Sequence, residues 1–163
     1  MAETVKWYRD EASGQYIFDA FVMVNAPVDV CFNAWSNFES FPRLMSYVQE
    51  VRHEGDNTWH WEATVGGVRA KWEAKTTEFR KDEVISWESI RGLRNSGSVY
   101  FSKENRGCRV AVHLAYDPPY GAIGDVVAER RINDQFASNL QHDLDNFKQH
   151  VESGDIGYFR RAA

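Results

Sequence analysis

The sequence lacks the short motifs that identify most enzymes and metalloproteins. Its two cysteines, Cys31 and Cys108, form no CxxC pair and have no histidine at metal-ligand spacing, a pattern typical of reduced structural thiols. It contains no phosphate-binding loop, no Gly-x-Ser-x-Gly turn and no Ser-His-Asp arrangement. The sequence therefore predicts no catalytic residue, no metal and no cofactor.

An excess of positive charge is also absent. There are 19 lysines and arginines against 24 acidic residues, a net charge of -5, which argues against nucleic-acid binding and against docking on anionic lipid. No apolar run approaches the ~18 residues of a membrane span. The first residues lack the apolar segment of a signal peptide, and no Asn-x-Ser/Thr acceptor occurs. We therefore expect a cytoplasmic protein without stable membrane insertion, and the oligomeric state is left open.

Aromatic residues, in contrast, are abundant. They make up 14% of the 163 residues, with six Trp, seven Tyr and ten Phe, and the apolar fraction of 43% is ordinary for a folded domain. Aromatic side chains bury large surfaces and also line ligand pockets. We predict one domain over residues 15–153, between an N-terminal tail at 1–14 and a C-terminal tail at 154–163.

Hydrophobic periodicity predicts seven strands and three helices. Apolar positions at three- and four-residue spacing indicate a long helix from about Ile123 to Glu152. Two short helices are expected between the first two strands, one beginning at Pro27 and one over residues 38–45. Strands are predicted where side chains alternate in polarity or where turn residues bound a short run. The predicted strands are 16–24, 47–53, 58–65, 68–79, 84–90, 98–103 and 108–116.

The order of these elements predicts the fold class. Strands joined by tight turns pair antiparallel, because parallel pairing needs long crossovers. Only the long helix is large enough to cover the apolar face of the sheet. We therefore predict an α+β fold in which a seven-stranded curved antiparallel sheet wraps around a long C-terminal helix. Such a fold tends to enclose an apolar cavity.

This order of elements resembles the helix-grip fold, and several segments extend the resemblance to a family. The chain is similar, over about residues 16 to 156, to the polyketide cyclase/dehydrase and lipid-transport group of the START-like (SRPBCC) superfamily. That superfamily includes lipid carriers, quinone-binding proteins, hormone receptors and polyketide aromatase/cyclases, so the resemblance implies an apolar cavity and no single reaction. The segments that carry it are Val24–Asp29, Phe38–Met45, Asn95–Val99, Leu114–Pro119 and Asp143–Lys148.

The apolar stripes of the strands and the helix supply candidate ligand contacts. For the indoles, plain core filling is the alternative, and for Tyr116 the alternative is a local hydrogen bond to backbone. The loops at 92–97 and 118–124 are candidates for gates or ordinary connections. The predicted ligand-binding residues are Trp59, Trp61, Trp72, Trp87, Phe101, Leu114, Tyr116, Phe136 and Leu140.

One pair of polar residues is a candidate for acid–base chemistry. His60 and Glu62 alternate onto the sheet face opposite the tryptophans, and a histidine with an orienting carboxylate can serve as a base. Because charged residues dominate that face, the prediction for the pair is solvated sheet surface.

Three functions are compatible with these observations. The preferred one is binding or transport of a hydrophobic small molecule, such as a lipid, an isoprenoid quinone or a polyketide. The alternative is a polyketide aromatase/cyclase, in which polar groups such as Tyr116 promote enolisation or dehydration. The second alternative is an interaction module without ligand, whose cavity is filled by side chains.

Overall fold

The fold is one antiparallel sheet combined with helices. A computed structural model describes residues 5–65, 67–118 and 126–154. A 3₁₀ turn over Phe38–Ser40 separates the first two helices. In chain order the elements are β1 (Val5–Arg9), β2 (Tyr16–Val24), α1 (Val28–Ser36), α2 (Phe41–Leu44), β3 (Val48–Gly55), β4 (Thr58–Val65), β5 (Val68–Arg80), β6 (Val84–Gly92), β7 (Asn95–Glu104), β8 (Gly107–Tyr116) and α3 (Val126–Glu152).

The strands follow one another across the sheet in the order β1-β2-β8-β7-β6-β5-β4-β3. Every neighbouring pair is antiparallel, so β1 and β3 are the two edges. The segment with α1 and α2 carries the chain from β2 to the far edge. The predicted α+β class with one antiparallel sheet and a long C-terminal helix is confirmed, and the arrangement is consistent with the helix-grip fold.

The predicted number of strands was wrong, because the sheet has eight strands and not seven. The additional strand is β1, which lies inside the segment predicted as a tail and pairs with β2 from Val5 opposite Ala20 to Arg9 opposite Tyr16. Its Trp7 ring stacks on Phe18 at 6.3 Å between centroids. Aromatic packing on a neighbouring strand stabilises a sheet pair, and this contact is invisible in a five-residue segment read alone.

Other boundaries differ by a few residues. β4 has the predicted bounds, but β7 begins at Asn95, so part of the loop predicted at 92–97 is strand. The second predicted short helix is divided into the 3₁₀ turn and α2. Pro42 is tolerated only in the first turn of a helix, which places the start of α2 at Phe41. Two predicted segments lie outside the described residues: the loop at 118–124, apart from Pro118, and the C-terminal tail at 154–163, apart from Gly154.

Helix α3 supplies the apolar surface that faces the sheet. Ile132, which stands four residues before Phe136 and so continues the apolar spacing, is only half-buried, whereas the adjacent Asn133 is fully buried. Register shifts between β3 and β4 and between β5 and β6 mark bulges, which bend and twist strands. The buried apolar residues of α3 are Phe136, Leu140, Leu144, Phe147 and Val151.

Replacing Trp7 by alanine should destabilise the protein by roughly 2–3 kcal/mol, below the ~3–5 kcal/mol of a fully buried tryptophan. The ring would no longer pack on Phe18, and the indole N–H would no longer donate to Asp134, 2.7 Å away. Urea unfolding measures the change. The control Tyr8→Ala removes an exposed side chain of the same strand, and we expect less than about 0.5 kcal/mol from it. Equally small effects would contradict the role of β1 in the folded domain.

Candidate ligand-binding cavity

A cavity of about 120 Å³ lies between the inner face of the sheet, α3 and the segment that runs from α1 to β3. Its wall is almost wholly apolar and is rich in aromatic rings. The lining residues are Trp35, Phe38, Phe41, Met45, Tyr47, Val48, Trp59, Trp61, Trp72, Ala74, Lys75, Thr76, Ile85, Trp87, Leu93, Asn95, Val112, Leu114, Ala115, Tyr116, Phe136 and Leu140.

Tryptophans of β4 and β5 form one side of the cavity. Trp61 and Trp72 are opposite each other in the strand register, and their rings stack in parallel at 6.2 Å between centroids. Rings from the helical segment meet this side edge-on. Phe38 is 5.1 Å from Trp59, and Phe41 is 5.5 Å from Trp61, between centroids. Edge-to-face pairs of this kind add to the energy of burial, so these indoles are fixed in place and still border the cavity.

Trp87 of β6 is fixed by two residues of β7. Its indole N–H donates to Oδ1 of Asn95 at 2.9 Å, and the Asn95 amide donates to the carbonyl of Leu93 at 2.9 Å. The indole lies over Gly97, where an added Cβ would be only 2.5 Å from two ring carbons. Glycine is therefore required for this close approach. The approach gives a physical reason for the glycine in the segment Asn95–Val99.

The opposite side of the cavity consists of α3 and the end of β8. The Tyr116 ring contacts Phe136 at 5.4 Å between centroids and Phe18 at 5.8 Å. Its hydroxyl donates to Oδ1 of the buried Asn133 at 2.8 Å. A local hydrogen bond to backbone was the alternative predicted for Tyr116. The hydroxyl instead donates to a side chain of α3.

The structure brings together eight of the nine predicted residues along the cavity wall. Phe101 is the exception. It packs against Phe32 at 5.2 Å and Trp35 at 6.5 Å between centroids, nearer the α1 end of the sheet. Alternation places Phe101 on the inner face, but it does not tell how far along the strand the cavity extends. That these eight residues contact a ligand stays a prediction.

Sequence reasoning missed the contribution of the segment between β2 and β4. The two short predicted helices and the start of the predicted strand at 47–53 contain five apolar residues that line the cavity together with Tyr47. The available signal was the aromatic spacing of Trp35, Phe38 and Phe41. The apolar members of this set are Trp35, Phe38, Phe41, Met45 and Val48.

Tyr47 is a half-buried residue of the cavity wall that carries a hydroxyl. Its ring contacts Phe136 at 5.5 Å between centroids, and its backbone carbonyl accepts bonds from Thr64 N at 2.8 Å and Gln49 Nε2 at 3.0 Å. Asp143 of α3 accepts bonds from the backbone N–H and the hydroxyl of the adjacent Ser46. Burial raises the pKa of Asp143, and burial together with that carboxylate raises the pKa of Tyr47.

The pair on the outer face of the sheet is not solvated, so that prediction was wrong. His60 is only 8% exposed and Glu62 only 9%. The histidine nitrogens lie 3.0 Å from Glu62 Oε2 and 3.2 Å from Glu73 Oε1. Long side chains on the adjacent strands, including Arg52 opposite His60, cover the pair. Alternation shows which face a residue occupies, but it does not show what its cross-strand neighbours cover.

This outer cluster has the dimensions of a metal site but not the charge balance of one. Ligand atoms of Glu50, His60 and Glu62 lie within 4.8 Å of one another. The carboxylates already have cationic partners: Arg52 is 2.7 Å from Glu50, and Arg69 is 3.4 Å from Glu62. The cluster is therefore a self-neutralising ion-pair network. The charged groups around His60 are Glu50, Arg52, Glu54, Glu62, Arg69, Lys71 and Glu73.

Comparison with known proteins identifies the family. Residues 24–143 match a family described as polyketide cyclase/dehydrase and lipid transport. This match spans most of the chain, so the protein belongs to that family, and the predicted resemblance is confirmed. None of the helices in the described part of the chain has the length and hydropathy of a membrane span.

Individual relatives agree with this assignment. An uncharacterised 17.2 kDa protein from the melC2-rnhH intergenic region of Streptomyces lincolnensis is 29% identical over 136 residues, covering 80% of this chain and 86% of that one. A START superfamily protein from Mycobacterium smegmatis has a TM-score of 0.68 at 12% identity, covering 84% and 97% of the two chains. The Zhui aromatase/cyclase from a Streptomyces species has a TM-score of 0.67 at 14% identity, covering 85% and 94%. These two structures share the fold.

The outer cluster predicts a pH dependence of stability. The hydrogen bond to Glu62 raises the pKa of His60, and the same bond lowers the pKa of Glu62 to about 2. A raised folded-state pKa stabilises the fold fully below the unfolded value of about 6.5, and this contribution is lost as the pH rises through the folded value. Glu62 is ionised throughout that range. We therefore expect the free energy of unfolding of the wild type, relative to His60→Gln, to fall as the pH rises above about 6.5.

Urea unfolding at a series of pH values measures this difference. The control His113→Gln removes an exposed histidine from the same face, and exposed ion pairs contribute little, so we expect it to keep the wild-type slope. Parallel curves for the wild type and His60→Gln would contradict the proposed role of the pair.

Proposed function

We propose that the protein binds a hydrophobic small molecule in the cavity. The observation that carries the proposal is the cavity itself, an opening of about 120 Å³ with an almost wholly apolar, aromatic wall. An unfilled apolar cavity of this size lowers stability by about 3 kcal/mol, at ~24 cal/mol per Å³. A ligand that fills it recovers much of that energy, which favours this function over a module whose core is filled by side chains.

The hydrogen bonds that Tyr116 and Asn95 already make argue against catalysis by these two residues and favour binding. Enolisation or dehydration requires a hydroxyl or amide that is free to exchange hydrogen bonds with the substrate. The Tyr116 hydroxyl donates to Asn133, and the Asn95 amide is bonded to Trp87 and Leu93. An aromatase/cyclase activity is the alternative that the family allows, and the likeness to an aromatase/cyclase at 14% identity concerns the fold alone.

The size of the cavity limits the ligand. A cavity of about 150 Å³ in another protein accommodates one benzene ring, so about one ring fits here without movement. A lipid tail, a quinone or a polyketide requires the surrounding side chains to move. We assign ligand contact to the eight predicted residues that line the cavity, and Phe101 is excluded. The cytoplasmic location stays a prediction from the sequence.

Native mass spectrometry of protein purified without detergent tests this function. We expect an adduct of small molecular mass that organic solvent extracts and that mass analysis identifies by class. If the mass is unmodified, the protein is incubated with a panel of alkylbenzenes, quinones, fatty acids and aromatic polyketides. An unmodified mass after that incubation would contradict the proposal.

Replacing Trp72 by alanine should enlarge the cavity and shift the preferred ligand towards larger molecules. We expect isothermal titration calorimetry to show tighter binding of hexylbenzene relative to ethylbenzene in Trp72→Ala than in the wild type. Both variants should destabilise the fold. We expect roughly 3–5 kcal/mol for the control Phe32→Ala, which removes a fully buried ring. We expect roughly 2–3 kcal/mol for Trp72→Ala, which removes a half-buried one. Phe32 is buried but does not line the cavity, so its removal should leave the ligand preference unchanged. Loss of stability in Trp72→Ala without a change in preference would contradict the role of Trp72.

A further inference from the structure

We infer that the Tyr47 hydroxyl binds a polar atom of the ligand, so that the preferred ligand is a flat apolar molecule carrying a carbonyl or similar hydrogen-bond acceptor. This inference rests on the proposed function, because it concerns the same cavity. It goes further by naming the group that orients the ligand and the chemistry that the ligand must carry.

The position of Tyr47 is fixed from several directions. Its backbone carbonyl accepts two hydrogen bonds, from Thr64 and Gln49, and its ring contacts Phe136 on α3. The neighbouring Ser46 is held by the buried carboxylate of Asp143. A side chain held between the sheet edge and the helix in this way needs little reorganisation to meet a ligand, and such pre-organisation favours binding.

The hydroxyl has no hydrogen-bond partner among the described residues. Tyr47 is half-buried, and it is one of the residues that line the cavity. The phenol is nevertheless enclosed deeply enough that burial raises its pKa. A phenol is protonated at neutral pH and able to donate. Because this half-buried hydroxyl has no partner among the described residues, an acceptor that enters the cavity gains a hydrogen bond by pairing with it.

Other polar groups on the wall are less suited to this role. Asn95 and Tyr116 already bond to protein groups. Lys75 is exposed, and Thr76 is its immediate neighbour at the rim. Trp59, Trp61 and Trp72 are half-buried, as Tyr47 is. An indole N–H donates only, whereas a tyrosine hydroxyl both donates and accepts. Tyr47 therefore combines an unused hydroxyl with a ring contact to Phe136 on α3.

The rings around the cavity determine the shape of the ligand. Trp61 and Trp72 stack in parallel, and Phe136 contacts both Tyr47 and Tyr116. Flat aromatic faces pack best against a flat partner. Aryl ketones and related cyclic carbonyl compounds satisfy both the shape and the hydrogen bond.

A matched pair of probes tests the inference, 1-indanone and indane. They have the same fused two-ring framework, so any side-chain movement needed to admit it is the same for both, and only 1-indanone has a carbonyl. We expect both probes to bind the wild type, with 1-indanone bound about fivefold more tightly, as one net hydrogen bond implies. Dissociation constants are measured by titration in two-dimensional NMR spectra of the indole N–H groups. Tyr47→Phe removes only the hydroxyl, and it should bind indane as the wild type does and lose the preference for 1-indanone.

Tyr16→Phe is the matched control. Tyr16 is buried, lies outside the cavity wall and donates to Glu129 at 3.0 Å, so its removal should keep the preference for 1-indanone. The assignment to Tyr47 would be overturned if Tyr47→Phe keeps the preference for 1-indanone, or if the wild type lacks it. In either case the cavity would still bind the probes. If neither probe binds the wild type, the proposed function fails, and the inference fails with it.

Infrared spectroscopy of bound 1-indanone gives a second readout that does not depend on affinity. A hydrogen bond to the carbonyl lowers its stretching frequency relative to the same compound in hydrocarbon solvent. We expect this shift in the wild type and in Tyr16→Phe and its loss in Tyr47→Phe. A bound carbonyl at the hydrocarbon frequency in the wild type would overturn the inference.

Discussion

The buried hydrogen bond between the Tyr116 hydroxyl and Asn133 holds the long helix at a fixed distance from the sheet. The Asn133 amide also donates to the carbonyl of Glu129 at 3.1 Å, one turn earlier in α3. A buried amide without partners is costly, so only one rotation and one height of the helix satisfy it. The cavity lies beside this contact, and its width depends on it. Apolar packing then continues along α3 to Phe147, which contacts Trp35 at 5.1 Å between centroids.

The order of elements could be predicted because the repeats in the sequence are strong. β4 was predicted with its observed bounds, since tryptophans alternate with polar residues between two turns. β1 was missed because five residues beside a polar turn give a weak signal, and their stability comes from Trp7 packing on Phe18. Periodicity describes a segment by itself, whereas an edge strand is defined by its neighbour.

The site was predicted in outline for the same reason. Alternation placed the tryptophans on the inner face, but it could not separate Phe101, which packs near α1, from residues at the cavity. Asn133 was missed as a buried group because a polar residue inside a helical stripe looks like an interruption. Tyr47 was predicted as the first residue of a strand, but it precedes β3 in the structure, and its contact with α3 follows from no alternation. Polar groups with a specific partner depend on three-dimensional contacts that no spacing rule encodes.

The distribution of indoles has an optical consequence. Five of the six tryptophans line the cavity, and only Trp7 lies elsewhere. The near-ultraviolet emission of the chain therefore originates mainly at the cavity wall, where Trp61 and Trp72 are close enough to exchange excitation. Each change in polarity or contact inside the cavity alters the environment of most of the emitting groups. The protein thus carries a built-in reporter of what its interior contains.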